Sequence, residues 1–131
     1  MIKTLLILFL LLCLVPATQA QRLMDNSRRT VGFIENERVM NASRSTIGFL
    51  ERNRVMDAAR RTVGYYENGS VLDASRRTIG HIEQGRVMDA SRRTIGYVES
   101  DRVLDGSRRT VGFFDGIRRD EAALYFFFFF R

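Results

Sequence analysis

Histidine is the side chain best suited to acid–base chemistry near neutral pH, and this chain has one, His81. It lies in a 16-residue repeat, described below, whose other copies carry an aromatic ring at the same place. Those rings are Phe33, Phe49, Tyr65, Tyr97 and Phe113. We therefore interpret His81 as a packed ring rather than a catalytic base. A catalytic or metal site built on several histidines is excluded.

An acidic series recurs with the same spacing. Its members are Asp25, Asn41, Asp57, Asp73, Asp89 and Asp105. Calcium needs six to eight oxygens at one point, and one carboxylate per 16 residues, interrupted by Asn41, does not provide them. We interpret the series as turn residues whose side-chain oxygens bind nearby backbone amides. No serine or threonine has a base beside it in the motif, and no nucleotide-binding loop appears. The sequence thus predicts no enzyme, no metal and no cofactor.

The first 20 residues have the pattern of a secretory signal peptide. Lys3 precedes an apolar run from Leu5 to Val15, and small residues around Ala20 form a cleavage site. A membrane anchor is the alternative, but the run falls short of the roughly 20 apolar residues that a spanning helix needs. We expect an exported protein, periplasmic, cell-surface or secreted, with no transmembrane anchor in the mature chain. The single cysteine, Cys13, would leave with the signal.

Residues 22–117 are six uninterrupted copies of a 16-residue repeat, exemplified by RVMDASRRTIGYVESD at 86–101. The unit is too short for a helical-pair repeat, and its Val, Ile, Thr and aromatic residues favour two short strands. The chain therefore divides into a signal peptide (1–20), a six-repeat β domain (21–117) and a Phe-rich tail (118–131).

A two-residue turn at each repeat boundary, such as Asn68-Gly69, fixes the pairing of the strands. It places Glu35 opposite Arg38, an aromatic residue opposite Met or Leu, and glycine opposite the acidic series. Both faces are then chemically consistent, and a slip of one residue would scramble them.

A glycine occupies one fixed strand position in every copy: Gly32, Gly48, Gly64, Gly80, Gly96 and Gly112. Such glycines indicate a bend or a close backbone approach, here repeated around a regularly curved sheet. Five hairpins cross repeat boundaries, and the first and last strands are left to pair with each other. We predict an all-β closed or near-closed array of hairpins, with an open β-solenoid as the alternative.

The segment from Asp89 to Glu99, together with Phe126–Phe130, resembles the five-fold β-flower family of small exported bacterial repeat proteins. The resemblance covers about residues 22–131. It implies hairpins arranged like petals around an axis and brings no assigned activity. One departure stands out, because arginine fills a slot where the family pattern often has glycine. If that slot has a positive φ, arginine is unfavourable there.

The same six arginines are the candidate ligands for a polyanion such as an acidic glycan, lipopolysaccharide or nucleic acid. They are Arg28, Arg44, Arg60, Arg76, Arg92 and Arg108. The alternative, which we favour, is structural: arginine pairs with Asp and Glu across strands and covers aromatic rings.

The tail ends in five consecutive phenylalanines: Phe126, Phe127, Phe128, Phe129 and Phe130. Left exposed, they would promote aggregation. We predict a closing strand or plug buried against the repeats. The alternative is a docking strand that extends a partner's sheet. Together these features favour an exported, non-enzymatic structural or interaction module of the bacterial cell envelope, with an unknown envelope protein or a polyanion as its partner.

Overall fold

A computed structural model describes residues 21–130, which form twelve strands followed by a short helical segment. The predicted signal peptide lies outside the described residues. The strands are β1 (Arg22–Asp25), β2 (Thr30–Glu35), β3 (Arg38–Asn41), β4 (Thr46–Glu51), β5 (Arg54–Asp57), β6 (Thr62–Glu67), β7 (Ser70–Asp73), β8 (Thr78–Glu83), β9 (Arg86–Asp89), β10 (Thr94–Val98), β11 (Arg102–Asp105) and β12 (Thr110–Asp115). Helix α1 (Arg119–Ala123) continues into a π-helical segment (Leu124–Phe129). Within residues 21–130, neither helical stretch has the length and apolar character needed to cross a membrane.

The strands form a closed antiparallel barrel in which each pairs with its neighbours in sequence. The first and last strands complete it, with Leu23 opposite Phe114 and Asp25 opposite Gly112. This confirms the predicted closed array of six repeats and excludes the open solenoid. Closure also removes the unpaired strand edges at which sheets aggregate.

The predicted register is confirmed from the two-residue turn as far as the repeat glycine. Glu35 pairs with Arg38 and Ile34 with Val39, and the ladder ends where Gly32 meets Asn41. Two-residue turns join these strands, and both central residues of Asn68-Gly69 have a positive φ, of 50° and 82°. A turn of this type matches the twist of the adjoining strands, which is why the Asn-Gly pair is a strong indicator of it.

Inside each repeat the two strands pair around a bulge. Leu23 faces Gly32, but the next residue, Met24, faces Thr30, so Val31 is the extra residue. The same shift recurs in the other five copies. A bulge bends its strand and increases the local twist, and six of them curve twelve short strands into a ring.

The ring has two chemically different ends. The two-residue turns lie at one end, which we call the hairpin end. The turns that begin with Asp25 and its equivalents lie at the other, which we call the Asx end. Helix α1 begins at the hairpin end, where Arg119 lies close to Gly85. Its chain then continues through the ring toward the Asx end.

The tail fills the centre of the ring as a helix. Ala122, Ala123, Leu124 and Tyr125 are buried, and they pack in one core with the inward-facing aliphatic residues of the strands. Those that are fully buried include Leu23, Val39, Val55, Val71, Val87 and Val103. Of the two predicted tail structures, the plug matches this arrangement and the closing strand does not. No strand is needed, because β1 and β12 already close the sheet.

Candidate functional site

Six consecutive aromatic residues of the tail meet the six repeat glycines, one ring to each glycine. Tyr125 lies against Gly32 and Phe126 against Gly112. The next four rings continue in order around the barrel: Phe127 against Gly96, Phe128 against Gly80, Phe129 against Gly64 and Phe130 against Gly48. Tyr125 and Phe130 complete the circuit, with ring centroids 6.1 Å apart and planes 23° apart.

The glycines are required by space, not by backbone conformation. None of these six has the positive φ that favours glycine. A Cβ at Gly80 would instead lie 2.5 Å from Cζ of Phe128 and 2.7 Å from the carbonyl oxygen of Met88. Such separations are far inside van der Waals contact. The close backbone approach predicted for this position is therefore made to an aromatic ring.

The π-helical turn suits a six-membered ring better than an α-helical turn would. If consecutive residues are to face consecutive copies of a six-membered ring, each must advance by about 60° around the axis, whereas an α-helix advances by about 100°. A π-helix is wider and turns more slowly per residue. Leu124–Phe129 is π-helical, which brings the advance per residue closer to the spacing of the repeats, and each repeat glycine meets one ring.

The sequence prediction included the five phenylalanines but missed Tyr125. A signal was present, because Tyr125–Phe130 gives six aromatic residues in a row for six repeats. Only the one-to-one contact with the glycines shows that the two numbers belong together.

The acidic series caps the turns of the Asx end, as predicted. In the first copy, Asp25 Oδ1 accepts hydrogen bonds from the backbone amides of Ser27 and Arg29, both at 2.9 Å. Its Oδ2 accepts a bond from Arg29 Nε at 3.3 Å. Asn41 makes the same two backbone contacts at 3.0 Å. Its copy has Ser45 in place of the arginine, so the ion pair between the acidic side chain and the arginine cannot form there.

These carboxylates predict how stability depends on pH. Hydrogen bonds from the backbone, chiefly from the amide four residues later, lower the pKa of Asp25, Asp57, Asp73, Asp89 and Asp105. A lowered folded-state pKa stabilises the fold above the ordinary aspartate pKa of about 3.9, and this is lost as the pH falls through the lowered value. We expect the urea midpoint to be steady from about pH 7 to 5 and to fall below about pH 4.

A variant with Asp57, Asp73 and Asp89 changed to asparagine is the matched control for this titration. Asn41 shows that the amide keeps the backbone hydrogen bonds, and the amide does not titrate. Urea midpoints measured at three pH values should therefore fall less steeply for the variant. Equal acid slopes for the two proteins would contradict the assignment.

The six candidate polyanion ligands lie on the outer wall of the ring, where they contact the protein itself. The guanidinium Cζ of Arg44 lies 4.0 Å from the centroid of the Phe33 ring, and its Nη1 lies 3.3 Å from Oε2 of Glu35. Arg60 does the same with Phe49 and Glu51. The stack is also present at Arg28, Arg76 and Arg108, and the ion pair at Arg76 and Arg92. This arrangement is the structural alternative favoured from the sequence.

Each of these arginines has a positive φ, between 64° and 66°. The slot in which the family pattern often has glycine therefore keeps the backbone conformation that suits glycine. An L-residue there is strained by about 1 kcal/mol, and stacking on an aromatic ring contributes roughly 0.5–1 kcal/mol in the opposite direction. The side chain thus offsets the strain of its own backbone.

Two substitutions at Arg60 separate strain from stacking. Arg60→Ala removes the stack and the ion pair but keeps the strain, so it should lower the free energy of unfolding by about 1 kcal/mol. Arg60→Gly also removes the strain and should be more stable than Arg60→Ala by roughly 1 kcal/mol. Denaturant unfolding measures both differences. An alanine variant as stable as the glycine variant would show that this turn lacks a positive φ.

A second arginine series is much more exposed. Arg29, Arg61, Arg77, Arg93 and Arg109 occupy the last position of the Asx-end turns, and their side chains are 81–82% exposed. Each contacts its aspartate through Nε, which leaves the terminal guanidinium nitrogens toward solvent. The sequence prediction chose the neighbouring series instead, because nothing in the repeat itself distinguishes the two orientations.

His81 is buried on β8 and pairs with Met88 of the neighbouring strand. It therefore takes the place of the aromatic rings in the other copies. Among residues 21–130, no group of three or more His, Cys, Asp or Glu side chains is arranged to hold a metal ion.

The most distinctive surface lies at the Asx end. Phe126–Phe130 are only partly buried, and they pack against a core that includes Leu124 and Tyr125. They follow these buried residues in a tail that runs from the hairpin end toward the Asx end, so we assign their exposed surface to the Asx end. Partly buried bulge residues surround them: Val31, Ile47, Val63, Ile79, Ile95 and Val111. Outside these lie the exposed arginines. We call this apolar centre with its arginine rim the Asx face.

The structure is a ring of petal-like hairpins around a central axis, and a comparison of the chain with protein families agrees with it. Residues 20–130 match the family described as 5-fold beta-flower protein. The chain belongs to this family. No curated protein and no solved structure matches it.

This β-flower protein departs from the symmetry in the family's name. Its ring contains six copies, and β1 and β12 complete the sixth petal. The tail matches the larger ring, because it brings six aromatic residues to six glycines. The number of repeats in the barrel therefore equals the number of aromatic residues in the tail.

Proposed function

We propose that this β-flower protein is an exported, non-enzymatic interaction module of the bacterial cell envelope. The observation that carries this proposal is the Asx face, which combines partly exposed phenylalanines with a rim of exposed arginines. Soluble proteins seldom leave a contiguous apolar surface of this kind unless it meets a partner. The signal-like residues 1–20 support export.

Export is tested by expressing the full chain with its own leader in a Gram-negative host. We expect the protein in the periplasmic or extracellular fraction. Its intact mass should be that of a chain whose first residue is Gln21. A chain that keeps residues 1–20 and stays in the cytoplasm would contradict the proposal. A variant with Leu8 and Leu10 changed to arginine is the control, since it interrupts the apolar run and should abolish processing.

Polyanion binding is the second candidate, and the exposed arginine series favours it. The Asx-end turns together carry eleven arginines against five aspartates. Because the Arg28 series is stacked on aromatic rings and the Arg29 series is exposed, we take the Arg29 series as the candidate ligands. Heparin chromatography tests this with the triple variant Arg61→Ser, Arg77→Ser and Arg93→Ser, whose replacement occurs naturally at Ser45. The variant should elute at lower salt than the unmodified protein.

A further inference from the structure

We propose that the Asx face docks on the surface of an anionic lipid membrane, with the phenylalanine layer toward the lipid and the arginine rim among the headgroups. This inference rests on the proposed interaction role and names its partner. The occupant follows from the arrangement of charge and apolar surface on the face.

The apolar centre is built from aromatic rings and aliphatic side chains. Five phenylalanines lie level with the glycines at which the strands lead into the Asx-end turns, and six aliphatic bulge residues surround them. Aromatic and aliphatic side chains at one end of a protein suit the boundary between headgroups and acyl chains. A soluble polyanion would contact the rim but would leave this centre facing water.

The charge of the ring is polarised along its axis. Eleven arginines and five aspartates lie in the Asx-end turns, whereas the two-residue turns and their flanking residues carry five arginines and seven acids. An anionic surface would therefore attract the Asx end and not the hairpin end. A second copy meeting this face head-on would bring two positive rims together, which disfavours a symmetric dimer.

The exposed series has the reach that headgroup binding needs. Arg61 and its equivalents are 81–82% exposed, and their terminal nitrogens are directed away from their aspartates. Guanidinium groups bind phosphate oxygens in a bidentate manner. Each cationic residue near an anionic membrane surface strengthens binding severalfold.

Vesicle sedimentation tests the proposal. The purified protein should start at Gln21, as checked by its intact mass, so that residues 1–20 cannot bind lipid. We expect binding to equimolar phosphatidylglycerol and phosphatidylcholine vesicles, and little binding to phosphatidylcholine alone. The triple variant Arg61→Ser, Arg77→Ser and Arg93→Ser should bind at least about tenfold more weakly. The matched control is Arg54→Ser, Arg86→Ser and Arg102→Ser at the hairpin end, which loses equal charge. Its replacement occurs naturally at Ser70, and it should bind like the unmodified protein.

The orientation has a separate readout, because the chain contains no tryptophan. Tryptophan placed at Ala90, an exposed residue of an Asx-end turn, should shift its emission to the blue when anionic vesicles are added. Tryptophan at Ser100, exposed at the hairpin end, should not.

Several outcomes would overturn the inference. Equal loss of binding in the two triple variants, or a shift at Ser100 alone, would mean that the Asx face is not the surface used. Heparin binding without vesicle binding would assign the rim to a soluble polyanion. A processed, exported protein that ignores vesicles defeats this inference only, whereas a chain that keeps its leader defeats the proposed export.

Discussion

A chain that ends at Asp120 is expected not to fold. The truncation removes buried Leu124 and Tyr125 together with the five phenylalanines that pack on the repeat glycines. Burial of one large apolar side chain contributes about 1.5–3 kcal/mol, whereas a whole domain is stable by only about 5–15 kcal/mol. Phe126–Phe130 are only partly buried, so each contributes less than this, but the seven residues together are comparable to the whole margin. Circular dichroism should show the loss of β structure, and gel filtration an expanded or aggregated chain.

The control is a chain that ends at Phe130, which keeps all six aromatic residues and should fold. A synthetic peptide of residues 118–131, added during refolding of the truncated chain, should restore part of the β signal if the tail acts as a plug. A truncated chain that folds without the peptide would show that the tail is dispensable for the ring. That result would favour the alternative in which the tail docks on a partner.

Gly80→Ala is expected to lower the free energy of unfolding by about 3 kcal/mol or more. The added methyl group would lie 2.5 Å from Cζ of Phe128 and 2.7 Å from the carbonyl oxygen of Met88. Overpacking a well-filled core typically destabilises by about 1–3 kcal/mol, and here one obstacle is backbone that cannot rotate away. Urea unfolding followed by circular dichroism measures the difference.

Gly106→Ala is the matched control, because a Cβ there would have its nearest neighbours at 3.7 Å. Four other copies have alanine at this position, so the variant should be as stable as the unmodified protein or slightly more so. Adding Phe128→Ala to Gly80→Ala should not restore stability, since the clash with the Met88 carbonyl remains. A Gly80→Ala protein of normal stability would show that the rings do not approach the glycines this closely.

The glycine substitution and the tail truncation disturb the same contact from opposite sides. Gly80 belongs to the wall and Phe128 to the plug, and neither is explained without the other. If Gly80→Ala and the truncation both destabilise the barrel, the tail is part of the fold and not an appended segment. The apolar centre of the Asx face then depends on the same residues that hold the ring together.

Local chemistry determined the strands, the register and the capped turns. Asn68-Gly69 has the composition that its turn type requires, so the pairing of Glu35 with Arg38 could be predicted from the sequence. Asp25 and its equivalents cap turns within four residues of themselves, and this too is readable from sequence. The repetition left the first and last strands free to pair with each other, but it kept an open solenoid as the alternative.

Contacts between distant residues were decided only by the tertiary structure. A run of phenylalanines favours burial but does not specify a strand or a helix. In the structure the run is π-helical and brings one ring to each repeat glycine. Adjacent arginines such as Arg60 and Arg61 look alike in sequence. The positive φ of Arg60 directs its side chain onto Phe49, and Arg61 remains exposed. The sequence by itself thus determined the repeating hairpin, and the closed ring determined what the tail and each arginine do, because both act across distances that no local pattern encodes.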